Sequence, residues 1–110
     1  MLFRSISKDN PELVNSYWMY SIVLERKYQH LKEKLINKLS NNHIETRPIF
    51  YPIHSMPPYK KFKGINQSFE ISTHLSKGGL CLPSSPFNTI EDIDKISKII
   101  NLFFKKIENK

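Results

Sequence analysis

Two apolar stripes at helical spacing frame this chain, and they set the kind of fold it can adopt. In residues 26–40, Tyr28, Leu31, Leu35 and Leu39 recur every three or four positions, with lysines 27, 32, 34 and 38 on the other faces. From about Ile90 to Ile107, the residues Ile93, Ile96, Ile100, Phe103 and Ile107 repeat the pattern. That period puts each set on one side of a helix. Thr89, with Asp92 three positions on, has the form of a capping box opening the second helix. A helix with one apolar face needs another layer to cover it, and the runs between supply a sheet.

The clearest strand runs from Ser16 to Leu24, where aromatic and β-branched residues dominate. Trp18, Tyr20, Ile22 and Leu24 share one face; Tyr17, Met19 and Val23 share the other. Both faces are largely apolar, which predicts a central strand. Ile44 to Phe50 reads as a second strand, at an edge or bulged, because Pro48 cannot donate to a ladder. Ser68 to Lys77 reads as a short helix with Ser68 as N-cap and Gly78-Gly79 as its stop. Leu80-Cys81-Leu82 is a third strand, and Asn41-Asn42 ends the first helix in the left-handed conformation open to asparagine. The expected fold is therefore α/β (α+β layered): about three strands with helices packed on them, in the order β-α-β-loop-α-β-α.

The 110 residues suit one domain, read as a lead-in over 1–15 and a folded unit over 16–110. The single Cys81 excludes an intrachain disulfide, and its place between two leucines makes it a small core residue rather than a nucleophile. No apolar run is long enough to span a membrane, and residues 1–9 lack the apolar region of a secretory signal, so a cytoplasmic location is expected. The net charge of +7 invites a nucleic-acid partner. However, 14 of the 17 basic residues are lysine, spread through the chain, which fits a solvated surface better than a groove. His30, His43, His54 and His74 show no metal-ligand spacing, and the three glycines form no phosphate loop.

The most distinctive local feature is Tyr51–Tyr59, with prolines at 52, 57 and 58. These predict a stiff, extended loop. Arg47, His54 and Tyr59 cluster around it, and loops of this kind commonly carry sites.

Three segments resemble a known family. Asn15 to Leu24 is similar to the strand that opens the C-terminal domain of sugar-nucleotide aminotransferases of the DegT/StrS type. Ile44 to Lys60 resembles the segment around that family's Pro-Leu-His motif, with Ile53 in place of leucine. Leu75 to Pro86, followed by the Thr89 helix start, is the third match, and all three keep their order. The wording is nearest the perosamine synthase branch. The resemblance implies the small domain of a fold-type I, pyridoxal-phosphate-dependent, homodimeric aminotransferase acting on a nucleoside-diphosphate keto sugar.

On that pattern the cofactor lysine belongs to a large domain that these residues do not match. The chain alone is then expected to bind no cofactor and to be inactive, its partner being that large domain. His54, Tyr59 and Arg47 correspond to substrate-binding positions, in that order of weight. The competing readings are a basic binding module without catalysis and a small structural protein.

Overall fold

The computed structural model describes residues 12, 14, 18–62, 64 and 67–109. The lead-in thus lies almost wholly outside the described residues. Three strands, β1 (Tyr20–Val23), β2 (Arg47–Pro48) and β3 (Gly79–Leu82), form one antiparallel sheet in the order β1-β3-β2. The helices are α1 (Lys32–Ser40), α2 (Glu70–Gly78) and α3 (Ile90–Glu108). A 3-10 segment, Arg26–Leu31, leads into α1. The layered α/β architecture and the element order are those the periodicity predicts.

The centre of the sheet differs from the sequence expectation. β3 is central and β1 is an edge. β3 is the buried strand and pairs with β1 on one side and β2 on the other, while Tyr20 and Ser21 of β1 stay exposed, as an edge strand allows. In register, Ile22 faces Leu80, and Ser21 and Arg47 both face Cys81. Side chains alternate along a strand. Ile22 and Leu80 therefore point to one face, where Leu24, Leu35, Leu39, Ile44, Ile96 and Ile100 complete the core. Gly79 points to the other face, toward Ile49 and α2. α1 and α3 thus cover one face, and α2 lies against the other.

The isoleucine stripe docks α3 on the sheet through Ile96 and Ile100, while Ile93 stays half exposed. At the far end Tyr28 packs on Phe104, with centroids 5.4 Å apart, and its hydroxyl donates to Glu108 at 3.0 Å. The 44–50 strand shrinks to two residues. Ile44 turns instead into the core, and Pro48 confines β2 to an edge.

Helix ends follow local chemistry. The α3 start is a complete capping box: the Asp92 N–H donates to Thr89 Oγ1 at 3.2 Å, and the Thr89 N–H donates to Asp92 Oδ2 at 2.9 Å. The Thr89 backbone and hydroxyl bonds hold the Asp92 carboxyl below the usual aspartate range. A depressed carboxylate stabilises the fold above its unfolded-state pKa, and that contribution is lost as pH falls through the folded-state value. In acid, the unfolding midpoint should therefore fall less steeply for Asp92→Asn than for the parent. Thr89→Ala should cost about 1 kcal/mol in denaturant unfolding at neutral pH.

At the end of α1 the left-handed residue is His43, with φ 60°, not an asparagine. The His43 N–H donates to the Ser40 carbonyl at 2.9 Å, and the Ile44 N–H to the Leu39 carbonyl at 3.0 Å. This pair of bonds closes a Schellman motif, and buried Ile44 packs with Leu39 in the core. A left-handed conformation costs an L-residue about 1–2 kcal/mol. Glycine's greater freedom in the unfolded chain takes back part of that gain. His43→Gly should still raise stability by roughly 0.5–1 kcal/mol, read as a higher denaturation midpoint.

Candidate functional site

The proline loop is not extended. Ile53–Ser55 and Pro57–Phe62 form two 3-10 turns. Proline's fixed φ suits the first turn of a helix, where its missing N–H is not needed. Pro52, with φ −60°, stands just before the first turn, and Pro57 begins the second. The Ser55 hydroxyl donates back to the Pro52 carbonyl at 2.7 Å and tightens the first turn.

The two turns wall an open groove of about 690 Å³ against α2. His54 and Tyr59 both line it, with Phe50, Tyr51, Phe62 and Phe69. His54 is half-buried, and its imidazole stacks on the Phe69 ring at a centroid distance of 4.4 Å and an interplanar angle of 16°. Among the described residues lining this groove, none is a lysine, arginine, aspartate or glutamate. The groove can thus offer aromatic faces, the phenol hydroxyls of Tyr51 and Tyr59, the two serine hydroxyls of Ser72 and Ser76, and the imidazole of His54.

His54 and Phe69 also line a second, polar cleft of about 540 Å³. Arg26, Gln29, His74 and Lys77 line that cleft. The Gln29 side chain bonds His74 Nδ1, tying the 3-10 segment before α1 to α2.

Arg47 is not brought to this groove. It sits exposed on β2 opposite Cys81, in a separate cleft with Trp18, Glu45 and Ser84. Cys81 is buried, with its Sγ 3.3 Å from Ser21 Oγ, as a core position demands. Among the described residues no group of three or more His, Cys, Asp or Glu converges to hold a metal, and no helix is long and apolar enough to cross a membrane.

Phe69 is the residue that sequence reasoning missed. Ser68 was expected to cap α2, but Phe69 holds the N-cap position without a side-chain cap bond, and its ring turns to the loop. No periodicity marks such a contact, because the partners are 15 residues apart and belong to different elements.

The fold resembles solved aminotransferases. It superposes on the aminotransferase TlmJ from Streptoalloteichus hindustanus with a TM-score of 0.70, at 16% identity, covering 86% of this chain and 24% of that one. In sequence the chain is 35% identical over 99 residues to GDP-perosamine synthase of Escherichia coli O157:H7, covering 90% of this chain and 26% of that protein. It is 32% identical over 102 residues to GDP-perosamine synthase of Vibrio cholerae, covering 93% and 28%. The chain thus spans about a quarter of the length of these curated relatives. Residues 3–101 match the DegT/DnrJ/EryC1/StrS aminotransferase family, and the chain belongs to that family.

Proposed function

We propose that this chain is the small domain of an aminotransferase that moves an amino group onto a nucleoside-diphosphate keto sugar, and that its His54 groove forms one wall of the substrate cleft. The observation that carries the reading is the meeting of His54 and Tyr59, the two loop positions first in weight, in one groove built by the proline turns. A half-buried imidazole beside aromatic faces suits a sugar nucleotide: aromatic rings stack on planar or apolar ligand faces, and the imidazole bonds an oxygen. Arg47, held away on β2, acts in this reading at most through its charge or by bracing that edge of the sheet.

The groove by itself does not fit pyridoxal phosphate. That cofactor needs an amine for its aldehyde, donors for its phosphate and an acid facing its ring nitrogen. The described groove residues supply no amine and no acid. The reading therefore assigns the cofactor to another part of a complete enzyme, and the chain alone should be inactive. Mixed with pyridoxal phosphate, it should leave the cofactor's visible spectrum unchanged; a robust protein-bound band from this chain would overturn that.

The positive test is a chimera in which these residues replace the matching quarter of the Vibrio cholerae synthase. The chimera should transaminate, and His54→Ala within it should lower kcat/KM about 10- to 100-fold, the value of a hydrogen bond to a charged group. Unchanged kcat and KM would remove His54 from the site.

A further inference from the structure

We propose that Phe69 is a positioning residue for His54, holding the imidazole by its ring face so that both ring nitrogens stay open to a ligand; this rests on the reading of His54 as a substrate contact.

The two rings belong to segments of unequal rigidity. The turn carrying His54 is closed by local bonds: Ser55 N–H to the Pro52 carbonyl at 3.0 Å, Met56 N–H to the Ile53 carbonyl at 3.0 Å, and the Ser55 hydroxyl to Pro52. All of these stay within the loop. Phe69 stands on the body of the domain. Its carbonyl accepts from the Thr73 N–H at 3.0 Å in the first turn of α2. α2 in turn is tied down by the Gln29–His74 contact and by Lys32 Nζ donating to the Ser76 carbonyl at 3.1 Å, and it runs directly into the central strand. The phenyl ring is therefore the fixed platform, and the imidazole is the part that is held.

The geometry of the hold matters. At 4.4 Å and 16° the rings meet face to face, a contact made by dispersion and ring electrostatics. Imidazole nitrogens lie at the ring edge, so a facial contact uses neither. Among the described residues the His54 side chain has no hydrogen-bond partner. A histidine anchored through one nitrogen has its tautomer chosen by that bond. One anchored by its face keeps the same orientation in either tautomer and in either protonation state. It can thus donate to, or accept from, a ligand oxygen without losing its support.

The test has a spectroscopic and a kinetic arm. In the full 110-residue chain labelled at histidine nitrogen and held at a concentration where it sediments as a monomer, the His54 ring protons should resonate upfield, in the ring current of Phe69, and both neutral tautomers should be populated at high pH. Phe69→Leu should abolish the upfield shift and Phe69→Tyr should keep it, with Leu80 and Ile100 methyl signals unchanged as the check on folding. In the chimeric enzyme, Phe69→Leu should lower kcat/KM about 3- to 10-fold, the factor an aromatic pair is worth, and Phe69→Tyr should restore it.

Wild-type ring shifts equal to those of Phe69→Leu, or a single locked tautomer, overturn the proposal. Should Phe69→Leu not fold, the wild-type shifts and tautomer ratio still decide. If His54→Ala is impaired but Phe69→Leu matches the parent, positioning is wrong and the substrate reading stands. If His54→Ala is itself unimpaired, the substrate reading falls and takes the positioning role with it.

Discussion

Gly79→Ala should destabilise the domain by about 2–3 kcal/mol, near the upper end of the usual range for overpacking. A methyl group there would overlap both the Ile49 side chain and the Leu75 carbonyl. The first could rotate away, but the second is backbone at the end of α2 and cannot move without lifting the helix from the sheet. Gly79 adopts an ordinary extended conformation, φ −93° and ψ 147°, so the requirement for glycine is space and not left-handed backbone. Gly78→Ala should be milder: its methyl would meet the Leu24 carbonyl at 2.8 Å, with the flexible Gln29 side chain near it. Gly64→Ala is the control, since among the described residues its methyl would meet only the Gln67 side chain, at 3.2 Å. Denaturant midpoints for the three variants should fall in the order Gly79, Gly78, Gly64 from most to least affected. Equal midpoints for Gly79→Ala and Gly64→Ala would disprove the close approach of α2 to β3.

The chain on its own should self-associate. Phe50 is 70% exposed, Tyr51 69%, Ile53 66% and Phe62 71%, and all four border the same groove, with Tyr59 and Leu75 beside them. A contiguous apolar surface of this kind marks an interface or drives aggregation. Trp18, 71% exposed two residues before β1, adds a second apolar spot. The sedimentation coefficient should rise with concentration, and Phe50→Ser combined with Phe62→Ser should reduce that rise without lowering the unfolding midpoint. A concentration-independent monomer would remove the argument that this face is built to be covered.

The functional reading and the association follow from one arrangement. The proline turns present the aromatic residues and His54 together, so the surface that would meet substrate is continuous with the surface that would meet a larger partner. Among the described residues the loop is held by local bonds and by the His54–Phe69 stack, so changes at Phe69 should be felt at His54 before they are felt in the core.

Some of this was legible in the residues because its causes are local. The spacing of Leu31, Leu35 and Leu39 produces a buried helix face whatever surrounds it. Thr89 and Asp92 close their capping box within one turn, and Pro48 confines β2 to an edge because it lacks an N–H. The three family-like segments also marked the loop carrying His54 and Tyr59.

Other features depended on partners that the spacing does not reveal. Asn41 was a reasonable helix terminator, yet Ile44 is drawn into the core beside Leu39, and the chain must turn left-handed one residue before it, at His43. The run from Ser16 to Leu24 reads as one strand, but β1 covers only Tyr20–Val23; Tyr20 stays exposed, while Ile22 and, just past the strand, Leu24 enter the core. β1 is an edge and β3 the centre because β3 pairs with two segments far from it in sequence, a choice that the apolar run of β1 does not reveal.

The sequence by itself thus determined the element order, the two docking stripes, the helix start at Thr89 and the family, since each rests on hydrogen bonds or periodicities within a few residues or on ordered motifs. The tertiary structure alone decided which strand is central, that His54 and Tyr59 share a groove while Arg47 lies in another cleft, and that Phe69 meets His54. Those outcomes depend on side-chain volumes meeting across distant segments, and such contacts exist only once the layers have packed.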